Sequence, residues 1–169
     1  MTAVTEPTAP PFHTRNDLAA DTRAAVIVLL NDRLADAIAL ALQAKQAHWN
    51  VKGPHFKALH DLFDAVNAAA LGWADELAER AVQLGGVAEG LPQQVLDRSR
   101  LPAFPTRAAN SRAWVDAMAT AVEFTANALR ADLEEATAAG DAVTADLLTT
   151  IAGEADKQLW FVEAHLEGL

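Results

Sequence analysis

Four stretches of the chain repeat apolar residues at spacings of three and four, and the lengths of the links between them are its most restrictive feature. Val26, Leu29, Leu30, Leu34, Ile38, Ala41 and Leu42 mark one amphipathic helix from Asp17 to Asn50, stopped by Gly53-Pro54. A second runs from Pro54 or His55 to Leu84 through Leu59, Leu62, Phe63, Val66, Ala70, Trp73, Leu77 and Ala81, and Gly85-Gly86 ends it. Asn110 or Ser111 caps a third, which continues through Trp114, Met118, Val122, Leu129 and Leu133 to Ala139. After Gly140, Asp141 caps a fourth that carries Leu147, Leu148, Ile151, Leu159, Trp160 and Val162. The first and third links are a few residues long, so each joins antiparallel neighbours. The middle link, from 85 to about 110, holds three glycines, three prolines and one short helical stretch, Pro92 to Arg98. A helix of roughly 28 residues is about 42 Å long at about 1.5 Å per residue, and a link of about 25 residues can run back along it. The expectation is an all-α four-helix bundle whose long crossover contains a short helix between helices two and three.

Composition supports helix and removes several chemistries. Alanine supplies 39 of 169 residues and tyrosine none, a strong bias to helix. Cysteine is absent, which excludes disulfides, thiolate metal sites and cysteine nucleophiles. The longest aliphatic run, Ala24 to Leu30, is far too short to span a membrane, and no cationic leader or apolar region follows Met1. A cytoplasmic protein is expected. Residues 1–16 carry three of the seven prolines, no lysine and no apolar period, and read as a flexible tail ahead of a bundle domain over 17–169.

The chemistry lies around the first link. His60 and Asp64 are four residues apart on the second helix, one above the other, and Asp75 and Glu79 repeat that spacing. Fifteen residues separate His60 from Asp75, about 60° around a helix of 3.6 residues per turn, so both pairs share a side. Imidazole and carboxylate together suit divalent first-row metals such as iron, zinc or manganese. Yet the pairs lie about 22 Å apart along the axis, and no single metal reaches both within one chain. If all four are ligands, they meet across a two-fold interface, where His60 and Asp64 of one chain face Asp75 and Glu79 of the other in two identical sites. His48, at the end of the first helix, is placed to join the His60 half. A metal centre inside one bundle is disfavoured, because such centres use paired Glu-x-x-His motifs and this chain contains none.

The segment His48-Trp49, Val51, Gly53, Phe56, Leu59-His60, Phe63-Asp64, Asp75 and Glu79-Arg80 resembles the signature of the DNA-protection-during-starvation (Dps) miniferritins at their own spacing. Asp156 to Phe161 is also similar, so the resemblance spans nearly the whole chain. It implies a ferritin-like bundle and a hollow homododecamer built from two-fold dimers. It further implies an intersubunit ferroxidase site of His48, His60 and Asp64 from one subunit with Asp75 and Glu79 from its mate. Fe(II) and hydrogen peroxide are the substrates implied, with ferric mineral stored inside. By the same resemblance Trp49 lies beside the metal and intercepts oxidising equivalents, and Asp146 lines an entry pore. Asp141 reads instead as a helix cap and His55 as an exposed side chain, while His13 is a lone imidazole in the tail.

Charge separates the chain from the family's name. Family members that bind DNA usually do so through lysine-rich tails, whereas residues 1–16 hold only Glu6, His13 and Arg15 as charged or titratable groups, and the C-terminal Leu166-Glu167-Gly168-Leu169 is not basic. With a formal net charge of -10, each chain repels a polyanion unless a cation bridges the two. Weak or absent DNA binding is expected. An architectural DNA-compacting protein with a vestigial metal site is the alternative.

Overall fold

The structure, a computed structural model, describes residues 10–167. Among these residues it contains five helices and no strand: α1 Ala20–Asn50, α2 Phe56–Gln83, α3 Pro92–Arg98, α4 Ser111–Ala138 and α5 Ala142–Glu163. The four long helices form the expected bundle, and α3 lies within the crossover. Gly53, Gly85 and Gly140, at the ends of three of the long helices, have positive φ, where a side chain would be strained. Asn110 and Asp141 accept hydrogen bonds from Ala113 N–H and Thr144 N–H, so both cap as expected.

The helix order follows from contacts at matching heights. Arg33 meets Asp132 near one end of the α1–α4 pair and Ser111 meets the Lys52 carbonyl at the other, so these helices run antiparallel. Trp73 meets Glu154, and Arg80 meets Thr144, placing α2 antiparallel to α5. Val26, Leu30, Leu40, Leu59, Phe63, Trp73, Leu77, Met118, Leu129, Leu148 and Ile151 fill the shared core. Many of the alanines share it, among them Ala35, Ala37, Ala44, Ala47 and Ala81, where the absence of bulk lets helix backbones approach closely.

The crossover runs along α1 because α1 presents it with a row of partners. Buried Asn31 donates to the Val87 carbonyl at 3.0 Å and accepts from Glu89 N–H at 2.9 Å. Arg98 bridges Glu89 and Asp32, and Asp36 accepts from Ser99 Oγ and Arg100 N–H. Gln43 and Gln46 then donate to the carbonyls of Pro102 and Thr106. The bonds to the Val87, Pro102 and Thr106 carbonyls and to the Glu89 and Arg100 N–H groups satisfy peptide groups that have no ladder of their own.

Two details differ from the sequence expectation. The first helix starts at Ala20 and not at Asp17, since Thr14 Oγ1 and Asn16 Oδ1 accept the N–H groups of Asn16 and Leu18 and hold that stretch in local turns. Residues 1–9 of the segment read as a tail lie outside the described residues. Further along, Phe12 N–H donates to the Gly85 carbonyl at 3.0 Å, and Arg23 donates to the carbonyls of Leu18 and Leu84. No helix of the described residues is long and apolar enough to cross a membrane.

Candidate metal half-sites

His48 occupies the last turn of α1 and His60 the second turn of α2, and the tight Val51–His55 link brings them face to face. Their rings stack with centroids 3.6 Å apart at an interplanar angle of 22°. The pairing is reciprocal: His48 Nδ1 lies 2.7 Å from the His60 carbonyl oxygen, and His60 Nδ1 lies 3.0 Å from that of His48. A carbonyl only accepts, so each Nδ1 carries a proton, and a ring in its neutral form has its lone pair on Nε2. Backbone carbonyls bonded to the distal ring nitrogen are also what orients imidazole toward a metal. Phe56 packs against His60 at 5.0 Å between ring centroids.

Asp64 projects one turn beyond His60 on α2 and stands half-exposed. Its carboxylate is held by Lys45 of α1, and hydrogen bonding to that ammonium keeps its carboxyl below the usual carboxylate range; the nearby imidazoles act in the same direction. Sequence reasoning passed over Lys45. The signal was present in its position one turn before His48, opposite the turn that carries Asp64.

Asp75 and Glu79 are exposed on the C-terminal half of α2, and neither has a hydrogen bond or ion pair within the described chain. The structure therefore joins His48 to His60, places Asp64 one turn further along α2 on Lys45, and leaves Asp75 and Glu79 as a separate pair. Among the described residues no chain by itself gathers three or more metal-ligating side chains about one point.

The neighbour of Glu79 is fixed far more firmly. Arg80 is buried; its Nε donates to Thr144 Oγ1 at 2.9 Å and one terminal nitrogen reaches both oxygens of Asp141 at 2.9 and 3.1 Å. Asp141 is only 1% exposed, and its carboxyl is held below the usual range. Burial opposes that ionised state but is outweighed by the bonds from Thr144 and Arg80. The sequence marks Arg80 only as part of a motif.

The remaining candidates are dispersed. Trp49 is 67% exposed at the end of α1, away from the core of its own chain. Asp146 is exposed on α5 and lines a cavity of about 330 Å³ at the α4–α5 turn with Leu133, Thr137 and Thr149. His55 is exposed at the start of α2, and His13 is exposed ahead of α1.

The four-helix bundle with its long crossover defines the ferritin-like class, and residues 27–169 match the ferritin family model, described as a ferritin-like domain. The chain is 42% identical over 154 residues to the DNA protection during starvation protein of Agrobacterium fabrum, covering 91% of this chain and 95% of that one. The structure of DpsA14 from Streptomyces coelicolor is similar with a TM-score of 0.87 at 32% identity, over 94% of each chain. That of Dps from Microbacterium arborescens in the high iron form has a TM-score of 0.82 at 30% identity, over 91% of this chain and 98% of that one. This chain belongs to the Dps family of ferritin-like proteins.

Proposed function

We propose that this chain oxidises Fe(II) to Fe(III), with hydrogen peroxide as preferred oxidant, at sites shared between two subunits, and stores the product as mineral inside a hollow dodecamer. The general role, iron storage and protection from oxidative damage, follows from membership of the ferritin-like Dps family. The finer reading is carried by one observation: the reciprocal bonds that tie both Nδ1 atoms to carbonyls, so that each ring in its neutral form offers Nε2 as its donor atom. Asp75 and Glu79, exposed on the same helix and without partners among the described residues, supply the carboxylates a two-fold mate would add.

In this reading the five side chains act as Lewis bases that set geometry and leave coordination positions open for the oxidant. Fe(II) is substrate. Two Fe(II) ions each give up one electron, the peroxide O–O bond breaks, and two protons complete two molecules of water, so no hydroxyl radical is released. Asp146 serves as a pore carboxylate on the way in, and Trp49 captures stray oxidising equivalents. Zinc or manganese fits the same donors and would compete with iron.

Alanine at both His60 and Asp64 tests the site. Peroxide-driven Fe(II) oxidation, followed by absorbance, is expected to fall to the protein-free rate while the oligomer persists by size-exclusion chromatography. Oxidation at the parent rate would refute the assignment. The acidic chain also argues against DNA compaction as its main role. Salt-sensitive, chelator-insensitive retention of duplex DNA in a gel shift would restore the architectural alternative.

A further inference from the structure

Among the described residues Glu79 has no hydrogen bond or ion pair to orient it, and it sits one turn before α2 ends at Gln83. Helix ends fray unless tied down, and a ligand on a fraying turn samples many positions. Ala81 and Leu84 pack into the core there, and Arg23 donates to the Leu84 carbonyl. Among the described residues, though, the last turn of α2 has one buried polar side chain that reaches the rest of the bundle. Arg80 reaches across to the α4–α5 turn, donating to Thr144 Oγ1 and to both Asp141 oxygens, while its other terminal nitrogen lies 3.4 Å from Gln83 Oε1 in the same turn. Asp141 is itself fixed, since it accepts from Thr144 N–H at 3.0 Å and from the Thr144 hydroxyl at 2.5 Å. A planar guanidinium held at three nitrogens fixes its own backbone better than a single contact does.

From this geometry we propose that Arg80 is a positioning residue: anchored to Asp141 and Thr144, it holds the α2 turn that carries Glu79 and so sets the carboxylate half of the shared metal site. The inference rests on the proposed site and goes beyond it in assigning Arg80 and Asp141 to metal binding without either touching the metal. It predicts a one-sided effect. Loosening the tie disturbs the Asp75–Glu79 half and leaves the half formed by His48, His60 and Asp64, which is built at the other end of α2, unchanged. It also links that half to the turn bearing Asp146, five residues beyond Asp141.

Co(II) added to the assembled protein reads the site through its affinity and its visible ligand-field spectrum. Arg80→Lys and Asp141→Asn are both mild, the first keeping charge and the second keeping shape and an acceptor for the cap. Each is expected to weaken Co(II) binding at least about tenfold and to shift the spectrum toward that of Glu79→Gln rather than that of His60→Ala. As a control, Glu154→Ala removes the acceptor of the Trp73 N–H, another α2–α5 tie that does not touch the last turn. It is expected to leave Co(II) affinity and spectrum at parent values.

Parent-like binding in both Arg80→Lys and Asp141→Asn overturns the inference alone. An equal loss in Glu154→Ala overturns it as well, since general loosening of the helix pair would then be the cause. Failure of both tie variants to assemble also overturns it, by assigning the tie to the fold as a whole. Absence of Co(II) binding in the parent overturns the site reading and this inference together.

Discussion

Asp132 allows a stability effect to be worked through from geometry to assay. It projects from α4 toward α1, where Arg33 Nε stands 3.4 Å from its Oδ2 and another Arg33 nitrogen stands 3.1 Å from Asp36 Oδ2. One guanidinium thus faces two carboxylates. The two are not equal, because Asp36 also accepts from Ser99 Oγ and Arg100 N–H, whereas Asp132 Oδ2 is buried with no hydrogen bond. Burial, outweighing Arg33 and reinforced by the negative charges of Glu135, Asp32 and Asp36, pushes the Asp132 carboxyl up to about 6. In the unfolded chain it titrates near 3.8. The folded state therefore binds the proton more tightly across that interval. Its stabilising effect is complete below the unfolded value and is lost as pH rises through the folded one. Two pH units correspond to about 3 kcal/mol. Asp132→Asn preserves shape and does not titrate, so its stability minus that of the parent should grow by about 2.4 kcal/mol between pH 4 and pH 7. The depressed carboxyls of Asp64 and Asp141 act with the opposite sign at lower pH and are common to both proteins. Urea unfolding followed by tryptophan fluorescence, at one protomer concentration across that range, measures the difference. A difference that stays constant to within about 0.5 kcal/mol would show that Asp132 remains ionised and would refute the charge argument.

Two other substitutions probe separate links between sequence and function. Lys45→Gln removes the ammonium that competes with a metal for Asp64, so Co(II) affinity near neutral pH should rise several-fold. The Asp64 carboxyl should also return toward its ordinary range, moving the acid limb of binding to higher pH; an unchanged or lower affinity at neutral pH would count against that competition. Asn31→Leu keeps the volume but leaves the Val87 carbonyl and Glu89 N–H without their partner, which should cost about 2–4 kcal/mol in urea unfolding. A loss below about 0.5 kcal/mol would mean that water replaces the amide at the start of the crossover.

What could be read from the sequence divides by the range of the interaction that encodes it. Helix periods, glycine stops and the caps at Asn110 and Asp141 are local, and they specify the bundle because link lengths leave few ways to connect four such helices. The shared faces of His60 with Asp64 and of Asp75 with Glu79 were legible for the same reason, since a spacing of four on one helix fixes a shared face. The start of α1 was misplaced because Thr14 and Asn16 compete for backbone N–H groups that periodicity assigns to helix. Lys45 and Arg80 belong to a third kind: their partners lie on other helices, and which residue stands opposite depends on inter-helix register. The Arg33–Asp36–Asp132 group escaped reading for the same reason.

The charges of the two half-sites bear on why a pairing interface would hold them. One half combines two imidazoles, each able to remain neutral with its proton on Nδ1, with an Asp64 carboxylate balanced by Lys45. With both rings neutral it carries little net charge and can exist in a free chain at low cost. The other half, Asp75 and Glu79, brings two carboxylates with no cationic partner among the described residues. Under the proposed arrangement, apposing the halves without metal places three carboxylates around one ammonium, and a divalent cation relieves that imbalance. Metal binding and subunit pairing then share one free energy: a cation that binds only the completed site stabilises the pair as its concentration exceeds the dissociation constant. A site confined to one bundle would have to carry that uncompensated charge in every folded chain, whereas a divided site incurs it only on pairing, when a metal can be taken up.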